Sequence, residues 1–371
     1  MNAVMPGLVL DKPVKHTISS RSRALDALRG MTVALMLLVN NAAMGDFTPT
    51  QLIHAPWGAG FTLADLVFPW FLFCAGAALP FVYSSFQKRQ TGLVAWFQKN
   101  LTRAIPLFLV GVFLTSAVNH APIFGLGVLQ LIALASFFAA LFMPVSSLMR
   151  VGIAFALLLG YWAFLRFVPI GELGAGTFIE GKNAAAQLNI WLAPLGLRGL
   201  PSVIPTTALV MVGALVSEIL RRPSSHDFNK LAARVLLVGV VLTGIGFLWD
   251  LDLEFNKTHW TPAYILVAAG LGTLVLFIFL ALERSKLAVL LAPLEVFGGN
   301  ALLGYIAPIL FKTWVLQDWK LGSSNLQDSA LNGLTSQFGR ELGGWAYTLL
   351  YLLLCWVFLR YCQSKKWYLK L

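Results

Sequence analysis

Apolar runs of about 20 residues recur from Leu25 to the C-terminus, and each run is long enough to cross a hydrocarbon core of ~30 Å. The chain is 58% hydrophobic and only 12% charged, a balance that no soluble domain of 371 residues tolerates on its surface. We therefore predict an all-α fold, a polytopic transmembrane helix bundle of about ten spans. The predicted spans cover residues 25–44, 63–84, 101–118, 122–142, 150–167, 203–220, 233–249, 262–282, 294–316 and 344–362.

The net charge of +11 comes from 27 Lys and Arg residues that are concentrated in alternate loops. A basic excess can indicate nucleic-acid binding, but this distribution is the one that cytoplasmic loops give to membrane proteins. We therefore expect both termini to be cytoplasmic, lipids to surround the bundle, and no nucleic acid to bind. Seven basic residues would then lie on the outer side: Arg166, Lys182, Arg198, Lys257, Lys312, Lys320 and Arg340.

The loops are too short to hold a soluble catalytic domain, and we find no internal repeat. The sequence therefore predicts a cytoplasmic segment over residues 1–24, without the features of a cleaved secretory signal, and one membrane domain over residues 25–371. Cys74, Cys355 and Cys362 fall inside apolar spans, and no His, Cys and Glu grouping has the spacing of metal ligands. We expect neither a disulfide framework nor a metal site.

A histidine and a carboxylate lie at the mouth of the second span. Asp65 falls in the first turn of that span and His54 in the outer loop before it. Asp65 has a purely structural explanation, since a carboxylate in a first turn is favoured by the helix dipole. Alternatively, the loop brings His54 to Asp65, and the carboxylate orients the imidazole so that its other nitrogen accepts a proton from a nucleophile.

Polar residues at the two ends of the first span have two interpretations each. Asp26 and Arg29, three residues apart, form either a local ion pair at the membrane edge or, through the arginine, a phosphate site. Asn40 and Asn41 either end the helix or supply an amide to a developing oxyanion.

Amides occur in two later spans. Gln130 follows Gly127 in the fourth span and Asn300 follows Gly299 in the ninth, where helix packing alone could explain them. His259 reads as interfacial rather than catalytic. The C-terminal residues Lys365, Lys366, Trp367 and Tyr368 read as an interfacial anchor.

Several motifs together resemble one known family. They are Leu25-Asp-Ala-Leu-Arg-Gly30 with Val39-Asn-Asn41, His54-Ala-Pro-Trp57 with Thr62-Leu-Ala-Asp65-Leu-Val-Phe-Pro69, Gly127-Val-Leu-Gln130, Asn256-Lys257 with Trp260-Thr-Pro-Ala-Tyr264, and Gly299-Asn-Ala-Leu302. This pattern looks like that of the heparan-alpha-glucosaminide N-acetyltransferase family and its bacterial relatives, from about residue 23 to residue 310.

The resemblance implies a transmembrane acyltransferase that takes acetyl from cytosolic acetyl-CoA, its co-substrate, and delivers it to a glucosamine-type amino group across a bacterial cytoplasmic membrane. The acceptor would be a small amino sugar or oligosaccharide, and the resemblance does not by itself make it heparan sulphate. A homodimer is one assembly that the resemblance allows. The implied site has three parts: catalytic His54, Asp65 and Asn40; cofactor-side Arg29, Gln130, Asn300 and Arg103; and acceptor-side Trp57, Asn41 and Trp260.

Two other functions remain open from the sequence. The same polar residues could bind and translocate an amino sugar in a permease, although the repeats common in such transporters are missing. The acceptor could also be a hydroxyl group of an envelope glycan. Whether acetyl passes directly or through an acetyl-histidine is likewise open.

Overall fold

The fold was established from a computed structural model, which describes residues 22–89, 92–169, 174–221 and 228–369. Most of the predicted cytoplasmic segment over residues 1–24 lies outside the described residues. The regular secondary structure within them is helical apart from a small hairpin of β1 (Lys320–Leu321) and β2 (Ser324–Asn325). The helices are α1 (Arg23–Asn40), α2 (Leu63–Gln87), α3 (Leu93–Val118), α4 (Val128–Leu141), α5 (Ser147–Phe167), α6 (Ala184–Leu192), α7 (Val203–Arg221), α8 (Phe228–Asp250), α9 (Pro262–Glu283), α10 (Ala292–Gly299), α11 (Ala301–Phe311) and α12 (Leu326–Ser364).

Each of the ten predicted spans overlaps a helix or a pair of helices, although α3 and α12 begin at Leu93 and Leu326, well before the predicted starts at residues 101 and 344. Seven of the described helices are long and apolar enough to cross a membrane, and the bent pair that includes α10 and α11 gives an eighth. Two other predicted spans are helical but do not meet this standard of length and apolarity. Helix α1 contains three charged residues, and α4 has only 14 residues. The protein is therefore a multi-pass, all-helical membrane protein.

The ninth predicted span is wrong in one respect, because it is not a continuous helix. The segments Lys286–Gly299 and Ala301–Gln317 meet at an angle of 69°. Asn300 lies at the break with non-helical backbone angles, φ −137° and ψ 47°. Its side-chain Nδ2 donates to the carbonyl of Trp367 and its Oδ1 accepts from Leu369 N, at 2.8 and 3.1 Å. These contacts with the C-terminal segment accompany the bend, and a local hydropathy pattern does not contain them.

The core is formed where α1, α2, α7 and α9 pack together, while α3 and α8 face mainly outward. Helices α1 and α10 approach so closely that a Cβ built on Gly298 would lie 1.9 Å from the backbone oxygen of Asp26. A side chain at position 298 would therefore push the two helices apart. This contact places the start of α1 against the break at Asn300.

Two ends of the bundle can now be defined. The basic end contains the start of α1, the end of α2 and the start of α3, with Arg23, Arg29 and Arg103. The histidine end contains the end of α1 and the start of α2, with Asn40 and the loop that carries His54.

Candidate active site

The loop between α1 and α2 returns to the mouth of α2 and brings His54 to Asp65. His54 Nδ1 lies 2.9 Å from Asp65 Oδ1, so the loop makes the contact that the second of the two interpretations of these residues requires. The Asp65 side chain is 1% exposed and that of His54 is 53% exposed. A buried carboxylate thus holds one edge of a ring whose other edge is open.

Asp65 is held by backbone groups of the same loop. Its Oδ2 accepts hydrogen bonds from Thr62 N at 2.9 Å and from Ala55 N at 3.1 Å, so the carboxylate caps α2 and fixes the residue next to His54. Since an ionised carboxylate only accepts hydrogen bonds, we assign the proton of the neutral imidazole to Nδ1. The lone pair is then on Nε2, which has no hydrogen-bond partner among the described residues.

Lys257 completes this group, and the sequence reasoning did not include it in the site. Lys257 lies in the loop between α8 and α9, and its Nζ donates a hydrogen bond of 2.8 Å to Asp65 Oδ1. That loop is folded by Asn256, whose Oδ1 accepts from His259 N at 2.9 Å. The only sequence signal was the Asn256-Lys257 motif, because 192 residues separate Lys257 from Asp65.

An aromatic wall lies beside the His54 loop. The ring of Trp57 packs 5.3 Å from that of Phe178 and 5.6 Å from that of His259. His259 is 5% exposed, with Nε2 3.1 Å from Asn183 Nδ2, so it is buried rather than exposed at an interface. Trp260, expected on the acceptor side, is also buried and packs edge-on against Phe68. Of the two tryptophans, only Trp57 is partly open to a ligand.

His259 makes the stability of the protein depend on pH. Burial lowers the pKa of His259 to about 4, from an ordinary value near 6.5. As pH falls from about 6.5 to about 4, the unfolded chain takes up the proton and the folded chain does not, so stability is lost over that window. The expected loss is about 3 kcal/mol at most. Between pH 7 and pH 4.5 the unfolding temperature of the purified protein should therefore fall less for His259→Gln than for wild type.

The control for this measurement is His120→Gln, since the His120 side chain is 44% exposed at the same end of the bundle. That variant should retain the pH dependence of wild type. If the unfolding temperatures of wild type and His259→Gln fell equally between pH 7 and pH 4.5, with both proteins folded at pH 7, the result would contradict a buried neutral imidazole at position 259.

A cavity of about 780 Å³ opens at the basic end and is called the basic-end cavity here. Three of the four residues that the resemblance puts on the cofactor side line it: Arg29, Arg103 and Asn300. Arg29 also forms the local ion pair with Asp26, at 2.6 Å, and donates from Nε to the carbonyl of Gly298. Arginine side chains around a cavity of this size suit a ligand with phosphate groups.

The C-terminal segment contributes to the same cavity. Tyr368 and Leu369 line it, so this segment is more than the interfacial anchor that its composition suggests. Both amide atoms of Asn300 hold the segment in place. Gln130 does not line the cavity, although its neighbour Leu129 does, and its side chain is fully buried.

A second cavity of about 270 Å³ lies toward the histidine end and is called the outer cavity. Asn40, Asn41 and Lys312 line it, and Lys312 Nζ donates to the carbonyl of Asn40 at 2.8 Å. The two cavities follow one face of α1, since residues 23, 26 and 29 line the first and residues 33, 37 and 40 line the second. Neither His54 nor Asp65 is among the residues that line these two cavities.

Buried polar atoms without partners mark this part of the bundle. Such atoms are rare in folded proteins, so each calls for an explanation, and a bound ligand is one. Among the described residues, Ser136 Oγ in the wall of the basic-end cavity has no partner, nor does Asn41 Oδ1 of the outer cavity. Gln130 Oε1 is a third such atom.

Comparison with known proteins identifies relatives of this chain. Residues 21–248 match the sequence profile described as heparan-alpha-glucosaminide N-acetyltransferase, catalytic, which is more than half of the chain. Over 102 residues the chain is 30% identical to the heparan-alpha-glucosaminide N-acetyltransferase of Mus musculus, and over 96 residues it is 32% identical to that of Homo sapiens. These segments are 28% and 26% of this chain and only 15% and 14% of the relatives. His54 and Asp65 lie inside the matched profile, and Lys257 lies beyond it.

Proposed function

This chain belongs to the heparan-alpha-glucosaminide N-acetyltransferase family, and we propose that it transfers acetyl from cytosolic acetyl-CoA to an amino sugar on the other side of the membrane. The observation that carries the proposal is the placement of two chemistries at opposite ends of one bundle. An arginine-lined cavity is at one end, and a histidine held by a buried carboxylate is at the other.

The basic-end cavity is where we place acetyl-CoA. Guanidinium groups of Arg23, Arg29 and Arg103 would meet its phosphates, because a planar, permanently charged group binds phosphate oxygens in two places. The unpartnered Ser136 Oγ offers a further polar contact inside the cavity. Placing this end in the cytosol agrees with the loop charges and with the sequence-based prediction that both termini are cytoplasmic.

The thioester arm of the co-substrate is long and narrow, and its proposed path runs along the face of α1 whose residues line both cavities. In this account the acetyl group reaches the outer cavity, where the side chain of Asn40 offers an amide to the developing oxyanion. The acetyl group must then pass from Asn40 to His54 at the same end of the bundle.

His54 then has the chemical role. On one route Nε2 takes the proton from the amino group as the nitrogen attacks the thioester; the C–S bond breaks, and the proton passes to the departing CoA thiolate. On the other route Nε2 itself attacks the thioester, CoA leaves as the thiolate, and the acetyl then passes from Nε2 to the amine, whose proton CoA takes up. On both routes Asp65 keeps the proton of the resting ring on Nδ1. The acceptor would bind over the open edge of His54 with Trp57 of the same loop beside it, whereas Asn41 is buried and lines the outer cavity. Acetylation of the protein at His54 in the absence of acceptor would identify the two-step route.

The experiment that tests this function uses the purified full-length protein with acetyl-CoA and glucosamine. The proposal predicts release of free CoA together with formation of N-acetylglucosamine. Uptake of labelled glucosamine by vesicles without CoA release would instead support the permease, and CoA release only with an acceptor that lacks an amino group would support O-acetylation.

Arg103 provides a test of the cofactor side. Replacing Arg103 with alanine should raise the KM for acetyl-CoA about 10-fold or more with little change in kcat, because one charge-assisted contact with a phosphate is lost. Steady-state kinetics with varied acetyl-CoA measure this. Arg89→Ala is the matched control, since Arg89 is exposed near the same end and does not line the cavity. Equal KM values for the Arg103 variant and wild type would remove the basic-end cavity from the proposal.

A further inference from the structure

One oxygen of the Asp65 carboxylate accepts hydrogen bonds from both the imidazole of His54 and the ammonium group of Lys257. Asp65 Oδ1 accepts from His54 Nδ1 at 2.9 Å and from Lys257 Nζ at 2.8 Å, so the two nitrogens are at most 5.7 Å apart. Oδ2 is occupied by the hydrogen bonds of the loop and helix cap. His54 and Lys257 therefore share the charge of a single buried carboxylate.

We propose that Lys257 is a positioning residue for His54: its ammonium offsets the charge of Asp65, so that the imidazole is fixed by the carboxylate but stays a neutral base with Nε2 free. This inference rests on the proposed function, because a neutral Nε2 is what proton abstraction requires. A buried aspartate alone would favour the imidazolium form, which cannot accept a proton.

Burial gives the lysine this influence. Asp65 is 1% exposed and Lys257 is 36% exposed, so water does not screen the carboxylate on the protein side. The loop that carries Lys257 is fixed by Asn256, and the Tyr264 hydroxyl of α9 donates to the backbone oxygen of Asp65. These hydrogen bonds hold the loop of Lys257 and the backbone of Asp65 in place, so the contact between the two side chains is fixed.

Other titratable groups near the His54 loop do not contact the carboxylate. Glu254 Oε2 lies near Gly58 of the loop, and His259 lies behind Trp57. The Tyr264 hydroxyl is neutral and binds the backbone rather than the side chain of Asp65. Among the described residues, Lys257 is the cation that contacts the Asp65 carboxylate.

The experiment measures the reactivity of His54 directly, without acetyl-CoA. Diethylpyrocarbonate modifies neutral imidazole, so its rate at His54, followed by peptide mass spectrometry of the folded full-length protein from pH 5 to pH 9, reports the fraction of free base. Lys257→Met and Lys257→Gln should move the midpoint of that profile up by about one pH unit. Lys257→Arg should restore the wild-type midpoint, since it restores the charge.

The control is Lys182→Met, because Lys182 is exposed at the same end and its side chain has no contact with Asp65. It should leave the midpoint unchanged. The acid limb of the pH profile for CoA release should shift by the same amount as the modification profile in each Lys257 variant.

Two results would overturn the proposal. The first is an unchanged modification midpoint in folded Lys257→Met or Lys257→Gln. The second is failure of both variants to fold while Lys257→Arg folds, which would make Lys257 a structural ion-pair partner only. If wild type releases no CoA, the proposed function fails, and the modification profile still decides the role of Lys257.

Discussion

Replacing His54 with alanine is expected to lower the rate of CoA release in the presence of an amino sugar by about 10³-fold. The physical reason is that Nε2 of His54 is the open nitrogen of a ring that a buried carboxylate fixes, and no described neighbour can replace it. The His54 side chain is half exposed, so its loss should cost little stability. Steady-state turnover, with thermal unfolding as a check of the fold, measures both effects.

His120→Ala is the matched control for this prediction. His120 also lies near a carboxylate, with its Nε2 3.7 Å from Asp318 Oδ1, but both side chains of that pair are exposed. Its removal should leave turnover unchanged. A folded His54→Ala protein with turnover close to wild type would contradict the assignment of His54 as base or acyl acceptor.

Replacing Asp65 with asparagine is expected to lower turnover by a similar factor, about 10³-fold or more, through the tautomer of His54. The amide oxygen of the new side chain would take the position that accepts from Thr62 N and Ala55 N. Its NH₂ group would then face His54 Nδ1 and force that nitrogen to accept a hydrogen bond. The proton of the neutral ring would move to Nε2, which could no longer act as the base.

The Asp65→Asn measurement combines kcat with the unfolding temperature. Asp318→Asn is its control, because Asp318 is exposed and lies outside the proposed site. Asp65→Asn should be folded, since the helix cap keeps an acceptor, and kcat rather than KM should fall. Wild-type turnover in folded Asp65→Asn would show that the carboxylate is only a cap of α2.

Much of the fold follows from local pattern. Runs of about 20 apolar residues predict a helix wherever they occur, and α2, α5, α7 and α9 begin and end within a few residues of the predicted bounds. The break at Asn300 could not be found this way. It is accompanied by contacts with Trp367 and Leu369 near the other end of the sequence, and hydropathy carries no information about such distant partners.

In the candidate site, too, contacts between residues close in sequence could be predicted and contacts between distant residues could not. His54 and Asp65 are 11 residues apart, so the loop and helix start that join them were visible in the sequence. Lys257 reaches Asp65 from a loop between two later helices, and Tyr368 enters the basic-end cavity from the C-terminal segment. Each depends on how distant helices pack, which spacing along the chain does not reveal.

In the proposed function, acetyl passes through the bundle from the basic end to the histidine end. Proteoliposomes with glucosamine sealed inside and radiolabelled acetyl-CoA outside test it most directly. The account predicts labelled N-acetylglucosamine in the lumen, formed by wild type and absent with His54→Ala. Labelled product that forms only when acetyl-CoA and glucosamine are on the same side of the membrane would contradict transfer across it.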